Sequence, residues 1–164
     1  MESEQKVMGL LRSLDVMPCT SDLEAPEGYD HQVAEECASR LQVELAKEFG
    51  VPWDMNAGVQ DASYGIELSV HAFDPPLAIR LSNYGKLAAA TTPALGSHRD
   101  LGHAASEGVI TVEQRRLVEK VLDELGYTLI PLPFLRRRYD GVTRLAEFNG
   151  SEHATWWHRY FEHI

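Results

Sequence analysis

The sequence predicts a single α+β domain over residues 1–164, in which a small, mainly antiparallel sheet of three or four strands packs against three or more helices in a single pair of layers. Two observations indicate this class. Apolar residues recur with the helical period in several segments, but with a period of two between residues 66 and 81. The chain has 164 residues, of which 44 % are hydrophobic, and this suits one domain with its own core.

Two helices are predicted before residue 50. The first carries the helical apolar period, and Ser3 is placed to cap it. Its apolar residues are Val7, Leu10, Leu11 and Leu14. The second helix extends from about Asp30 to Phe49, and Gly50 is placed to end it. The residues that form its apolar stripe are Ala34, Ala38, Leu41, Leu45 and Phe49.

Alternating apolar and polar residues predict the strands of an antiparallel meander. The first strand covers residues 66–72 and is broken by the Asp-Pro-Pro sequence at 74–76. A second strand follows over 77–81. A turn at residues 83–86 then leads into a third strand at 87–91. Such a meander presents one face to the core and the other to solvent.

The chain after the meander is expected to contain a loop, a helix and an edge strand. Residues 92–110 are rich in Gly, Ser and His, and we predict a long loop there. Thr111 and Gln114 have the spacing of a capping box, and the helix that they open ends at Gly126. Prolines confine the possible strand at 127–132 to an edge of the sheet.

An aromatic helix is predicted over residues 154–164. On a helical projection its apolar arc consists of Trp156, Trp157, Tyr160, Phe161 and Ile164. His158, Arg159 and Glu162 lie outside that arc. We expect this helix to bury its aromatic residues and to cover the same face of the sheet as the helices near 30–49 and 112–125. An exposed patch that binds a partner or seals an oligomer is the alternative.

The charge of the chain restricts its partners. The net charge is −10, and residues 1–50 contribute 4 basic and 11 acidic residues to it. An acidic chain disfavours binding to nucleic acid or to an anionic membrane, and it attracts a basic protein. The predicted contact residues are the acids of the second helix, Glu35, Glu36, Glu44 and Glu48. The alternative is that the acidity only maintains solubility.

A cytoplasmic location is predicted from three features. The N-terminus begins Met-Glu-Ser-Glu, unlike a signal peptide, and no apolar run approaches the length of a membrane span. The two cysteines, Cys19 and Cys37, cannot build a disulfide framework, so we expect reduced thiols with Cys37 half-buried on a helix. The oligomeric state is left open.

No catalytic residue and no cofactor is predicted. The sequence contains no recognised catalytic signature, and its glycines form no phosphate-binding loop. One segment nevertheless contains side chains of the types that bind metal ions. His98, Asp100 and His103 could bind zinc or iron, or serve a small acid–base enzyme, although their spacing matches no established motif. A second trio on the outward strand face, Glu67, His71 and Arg80, is expected to form polar pairs. The basic run 136–138 is expected to form ion pairs.

The C-terminal third resembles a known class of proteins. The segments Leu132-Pro133-Phe134-Leu135, Tyr139-Asp140-Gly141 and Thr155 to Phe161 are similar to the endings of small acidic bacterial immunity proteins of polymorphic toxin systems. The resemblance implies a non-enzymatic inhibitor that occludes the active site of a toxin. Many toxin domains are basic nucleases, so an acidic inhibitor would associate with them under electrostatic steering. The leading hypothesis is therefore an immunity-type inhibitor that binds a basic toxin domain.

Overall fold

A computed structural model of the chain describes residues 1–15, 25–26, 28–57, 59–60, 63–72, 76–94, 97–143, 145 and 153–161, with the backbone alone at 59–60, 63–64, 93–94 and 97–100. It shows an α+β fold, as the sequence predicts. The helices and strands in chain order are α1 (Glu2–Leu14), α2 (His31–Phe49), β1 (Asp54–Asn56), β2 (Val59–Gln60), β3 (Ser63–Tyr64), β4 (Ile66–Val70), β5 (Leu77–Leu81), β6 (Leu87–Ala94), β7 (Ser97–Asp100), α3 (Leu101–Ser106), α4 (Val112–Glu124), β8 (Thr128–Leu129), α5 (Leu132–Leu135) and α6 (Trp156–Tyr160).

The residues predicted from the sequence to begin and end α2 are those that cap it. The Asp30 carboxylate accepts hydrogen bonds from the backbone N–H groups of Gln32 and Val33 at 2.9 and 3.2 Å. Gly50 ends the helix in the left-handed conformation, with φ of 69°. The predicted apolar stripe is confirmed, because its central residues are completely buried. Cys37 is half-buried on the same helix, also as predicted.

The predicted cap of α1 is wrong. The helix begins at Glu2 with Met1 as its N-cap residue, so Ser3 lies inside the first turn and does not cap it. Glu2 and Glu4 in this turn interact favourably with the positive end of the helix dipole, which compensates for the missing side-chain cap. The predicted apolar residues of this helix do face a core. Leu11 is buried, and Val7, Leu10 and Leu14 are partly buried in the same hydrophobic cluster.

The sheet has more strands than the three or four predicted. Five strands pair antiparallel in the order β1-β4-β5-β6-β7, and β8 adds a short parallel pairing beside the first residues of β6. Strands β2 and β3 form a separate two-stranded hairpin. The predicted meander corresponds to β4, β5 and β6. The possible edge strand at 127–132 is present as β8, although it is only two residues long. Strand β1 was not predicted, because a segment of three residues has no periodicity from which a strand can be predicted.

The loop predicted over 92–110 is wrong. Strand β6 continues to Ala94, and β7 pairs antiparallel with it in register from Ala94↔Ser97 to Thr91↔Asp100. Helix α3 follows immediately and buries Leu101 and Ala104. The polar composition of β7 concealed a strand because backbone hydrogen bonding to β6 satisfies the segment regardless of its side chains.

The main core lies between one face of the sheet and the two long helices α2 and α4. Its side chains come from alternate residues of β4 and β5, together with the apolar stripes of both helices. The predicted capping box of α4 is confirmed. Thr111 Oγ1 accepts from the Gln114 backbone N–H at 3.0 Å, and Gln114 Oε1 accepts from the Thr111 N–H at 2.7 Å. These bonds fix the start of the helix that closes the main core.

A second core lies on the opposite side of β6. Leu87 and Ala89 belong to it, whereas Ala88 and Ala90 belong to the main core. Helices α1, α5 and α6 also contribute to the second core, together with residues outside them: Tyr84, Ile130, Tyr139, Leu145, Ala154 and Phe161. The prediction of a single pair of layers, with the C-terminal helix beside α2 and α4, is therefore wrong. The reason is visible in β6, where a continuous apolar run is buried on both faces.

Helix α6 is shorter than predicted and buries one residue that was expected to face solvent. It covers Trp156–Tyr160, while the predicted positions Glu162 and Ile164 lie outside the described residues. Trp156, Tyr160 and Phe161 are buried in the chain's own second core, as expected. Arg159 was placed outside the aromatic arc, yet it is 1 % exposed. Its burial is explained by an ion pair with Asp15, which is buried beside it.

Tyr127 gives the main core a dependence on alkaline pH. Burial, and secondarily the nearby Cys37, raises the pKa of the Tyr127 hydroxyl to about 12. The folded state therefore keeps this proton more tightly than the unfolded state, whose tyrosines ionise near pH 10. Its contribution to stability is complete below about pH 10 and is lost between about pH 10 and 12, at a cost of roughly 2 kcal/mol.

This dependence can be measured by urea unfolding at a series of pH values. The Tyr127→Phe variant has no hydroxyl at that position, so it should lose less stability than the wild type between pH 9.5 and 12, by roughly 2 kcal/mol. Equal losses in the two proteins would contradict the assignment of this titration to Tyr127.

Candidate functional site

The four acidic residues predicted to contact a partner all lie on α2, but they are not equivalent. Glu35 and Glu36 are exposed. Glu44 lies 3.6 Å from the ammonium of Lys47 on the same helix. Glu48 lies 3.5 Å from the ammonium of Lys120 on α4 and so links the two helices. Because the Glu48–Lys120 pair already joins two helices, Glu48 is the least available of the four residues for contact with a partner protein.

The geometry of α2 also separates the four residues. With a rotation of about 100° per residue, Glu35 and Glu48 project roughly 140° apart, on opposite flanks of the helix. Glu36 lies between them, on the side that faces away from the main core. We call this side the outer face of α2. The side chains that it presents are Val33, Glu36, Arg40, Val43 and Lys47.

The outer face of α2 is therefore of mixed charge and carries exposed apolar residues. Val33 and Val43 are 54 % and 62 % exposed, which makes them two of the most exposed large apolar residues among those described. Isolated apolar residues on a surface need no explanation, but two on one helical face form the centre of a possible contact area. Glu36 stands one turn from Val33 and two turns from Val43.

A groove lies between the middle of α2 and the C-terminal end of α4. Its volume is about 400 Å³, and its lining residues are Ser39, Arg40, Val43, Glu44, Glu124 and Leu125. We call it the α2–α4 groove. Two carboxylates and one guanidinium surround its apolar floor, and Asp123 is exposed next to Glu124. The acids of this groove outnumber the bases, so it would favour a cationic side chain on an apolar stem.

The predicted metal ligands lie at one junction of the fold. His98 and Asp100 are in β7, and His103 is in α3, which follows β7 without a break. The side chains of His98 and Asp100 lie outside the described atoms. His103 is exposed, and its Nε2 lies 3.3 Å from Glu107 Oε1. Within the described part of the chain, no group of three or more His, Cys, Asp or Glu residues is arranged to hold a metal ion.

The polar trio on the outward sheet face forms local pairs. Glu67 and Arg80 are directly opposite each other in the β4–β5 register. The Arg80 guanidinium also lies 5.9 Å from the ring centre of Trp157. His71 follows the end of β4, where its Nε2 is 3.3 Å from Ser69 Oγ. The register thus places Glu67 and Arg80 opposite each other, whereas His71 contacts a residue of the strand that it follows and neither of the other two members of the trio.

The basic run at 136–138 is tied to the N-terminal helix. The Arg137 guanidinium lies 2.8 Å from Glu4 of α1 and also packs over the Phe134 ring. This contact confirms the expected ion pairing for that residue, and the hydrogen bond lowers the pKa of the Glu4 carboxyl. Asp140 pairs instead with Arg12, at 2.8 Å.

One polar cluster in the second core escaped the sequence analysis. Arg159 Nε donates to Asp15 Oδ1 at 2.7 Å, and both side chains are 1 % exposed. The other carboxylate oxygen of Asp15 accepts from the Tyr139 hydroxyl at 2.7 Å and from the Val142 backbone N–H at 2.8 Å. The Arg159 guanidinium lies 4.4 Å from the ring centre of Tyr84. We call these residues the Asp15–Arg159 network.

The network joins distant parts of the chain and is a structural site. It connects the end of α1, the segment after α5 and helix α6. Burial alone would lower the pKa of Arg159, but hydrogen bonds to Asp15 and Tyr84 outweigh that effect and leave it raised. The guanidinium therefore stays charged and paired. Sequence reasoning missed the pair because 144 positions separate its members and neither lies in a motif.

Comparisons with family models, curated proteins and solved structures find no match to this chain. Among the residues that the structure describes, no helix is both long enough and apolar enough to span a membrane.

Proposed function

We propose that this chain is a non-enzymatic, cytoplasmic protein-binding module, specifically an immunity-type inhibitor that binds a basic toxin domain through the outer face of α2 and the α2–α4 groove. The observation that carries the proposal is the exposed Val43, which lies beside carboxylates in a groove on an acidic protein. An apolar centre with a charged rim is the usual composition of a protein interface.

The charge of the chain supports a basic partner. A net charge of −10 steers cationic proteins toward it at low ionic strength. Glu36, Glu44 and Glu124 would then meet lysine or arginine side chains of the partner, whose aliphatic stems would pack on Val43. Glu35 lies on the opposite flank of α2 and would contribute only to the long-range field. Glu48 would remain paired with Lys120.

Charge reversal on the proposed surface tests this function. A double Glu36→Lys, Glu44→Lys variant and the wild type are used as baits in lysate of the native host, and bound proteins are eluted with a salt gradient. The wild type should retain a basic protein that the variant releases. Calorimetry with that purified protein should then show affinity at least about tenfold weaker for the variant, because two attractions become repulsions.

A matched control separates this surface from net charge. Glu2→Lys with Glu107→Lys changes the charge by the same amount on α1 and after α3, away from the groove. This control should bind more slowly, with a dissociation rate close to that of the wild type. Equal affinity of both double variants for the partner would contradict the proposed surface. Failure of the wild type to retain any basic protein would contradict the inhibitor function itself.

A further inference from the structure

A second pocket, separate from the α2–α4 groove, opens at the N-terminal end of α2. It lies between the start of α2, the neighbouring ends of β4 and β5, and the turn that connects β5 to β6. Its volume is about 440 Å³, which is within the range of small-molecule sites. Val33, Ala34, Ile66 and Leu81 supply apolar walls. The pocket is therefore suited to the apolar body of a small molecule.

Tyr127 places an unused hydrogen-bond donor in this pocket. The side chain is only 8 % exposed, yet among the described residues none hydrogen-bonds its hydroxyl. The Tyr127 oxygen is not one of the fully buried unpaired polar atoms of the described residues, so it is accessible from the open space of the pocket and can bond there to water or to a ligand. The phenol is protonated at neutral pH, as tyrosine ordinarily is, and burial raises its pKa further, to about 12. It can therefore donate a hydrogen bond.

Lys86 brings a positive charge to the same pocket from an unusual backbone conformation. Its φ is 52°, the one positive φ among the described residues other than glycine, and Gly85 before it has a φ of 57°. Two successive positive φ values are what the tight turn between β5 and β6 requires, and the Leu87 N–H closes this turn on the Tyr84 carbonyl at 3.1 Å. The ammonium lies 5.3 Å from the ring centre of Tyr127. One of its three N–H groups bonds to the Leu125 carbonyl at 3.3 Å, which leaves two for a ligand.

The charges around the pocket set the charge of a ligand. Lys86 and the Tyr127 hydroxyl are both donors, so they would share an anionic acceptor. Asp30 also lines the pocket, with its carboxylate bound to the N-terminal turn of α2. Because the Asp30 carboxylate is held by the N–H groups of α2, Lys86 is, among the described residues, the one cationic side chain that lines the pocket and can pair with a ligand. One ammonium beside a carboxylate favours a ligand with a single negative charge over the double charge of a phosphate monoester.

We propose that this pocket binds a small monocarboxylate with an apolar body, whose carboxylate would sit between the Lys86 ammonium and the Tyr127 hydroxyl. The apolar body would pack on Val33, Ile66 and Leu81. This site is separate from the α2–α4 groove, and its test does not depend on the proposed inhibitor function.

Cys37 allows the proposal to be tested without a known ligand, because its half-buried thiol also lines the pocket. In a Cys19→Ser background it is the only cysteine. Iodoacetate and iodoacetamide alkylate it by the same step, in which the thiolate attacks the methylene carbon and iodide leaves. They differ in charge. A pocket that selects carboxylates should raise the iodoacetate-to-iodoacetamide rate ratio at least about threefold over that of the urea-unfolded protein.

Matched variants assign the effect to the proposed groups. Lys86→Gln should return the rate ratio to that of the unfolded protein. Lys6→Gln changes an exposed lysine of α1 and should leave the ratio unchanged. Tyr127→Phe keeps the ammonium and should lower the ratio only partly. In addition, 3-phenylpropionate should slow the reaction of Cys37 with iodoacetamide, and its neutral amide should do so much less. The proposal is overturned by a native ratio equal to the unfolded one, or by a raised ratio that persists in folded Lys86→Gln.

Discussion

Replacing Asp15 by asparagine is expected to lower the free energy of unfolding by about 3–5 kcal/mol. The change leaves the Arg159 guanidinium buried without its counter-charge, in a site where both side chains are 1 % exposed. It also weakens the acceptor of the Tyr139 hydroxyl and of the Val142 N–H. Such a loss is a large fraction of the stability of a domain of this size. Urea unfolding followed by tryptophan fluorescence measures it.

The Arg12–Asp140 pair offers a control with the same chemistry on the surface. Its atoms are 2.8 Å apart, compared with 2.7 Å in the buried pair, but both of its side chains are more than half exposed. Asp140→Asn should therefore cost less than about 1 kcal/mol. If the two asparagine variants lose similar free energy of unfolding, the burial of the Asp15–Arg159 network does not add to stability, and the prediction is wrong.

A methyl group added at Gly141 is expected to lower the free energy of unfolding by about 2–3 kcal/mol. A Cβ at this position would collide with Asp15 Oδ2 and would lie 2.5 Å from the Tyr139 ring. Neither group can move freely, because both belong to the Asp15–Arg159 network. Gly141→Ala should thus disturb the same network from the other side. Thermal and urea unfolding of the purified variant measure the effect.

Gly9 provides the matched control for this substitution. It lies within α1 and is exposed, and an added Cβ there would meet nothing within 4 Å. Because alanine is a better helix former than glycine, Gly9→Ala should stabilise the protein by roughly 0.5–1 kcal/mol. The two glycine-to-alanine changes should therefore have opposite signs. A neutral Gly141→Ala would contradict the close packing around Asp15.

The elements that the sequence predicted correctly are those whose signals are local. Asp30 and Gly50 delimit α2, and Thr111 with Gln114 opens α4, because each of these residues bonds to backbone within its own turn. The period of two located β4 and β5. The acidic residues of α2 were located correctly on the surface for the same reason, since the helical period alone separates the buried stripe from the outer face.

The features that were missed depend on partners far away in the chain. Strand β7 is a strand because β6 pairs with it, and its polar side chains carry no period that reports this pairing. The α2–α4 groove and the pocket of Tyr127 and Lys86 each combine segments separated by tens of residues. The pairing of Glu48 with Lys120 likewise depends on the packing of α2 against α4.

The sequence by itself determined the α+β class, the two long helices and their caps, the central meander and the acidic character of the surface. Only the tertiary structure decided that β6 is buried on both faces, that α6 covers the second core, and that Arg159 points inward to Asp15. The physical reason is that capping and periodicity act within a few residues, whereas the burial of a charge depends on whether its partner is brought to it by the fold.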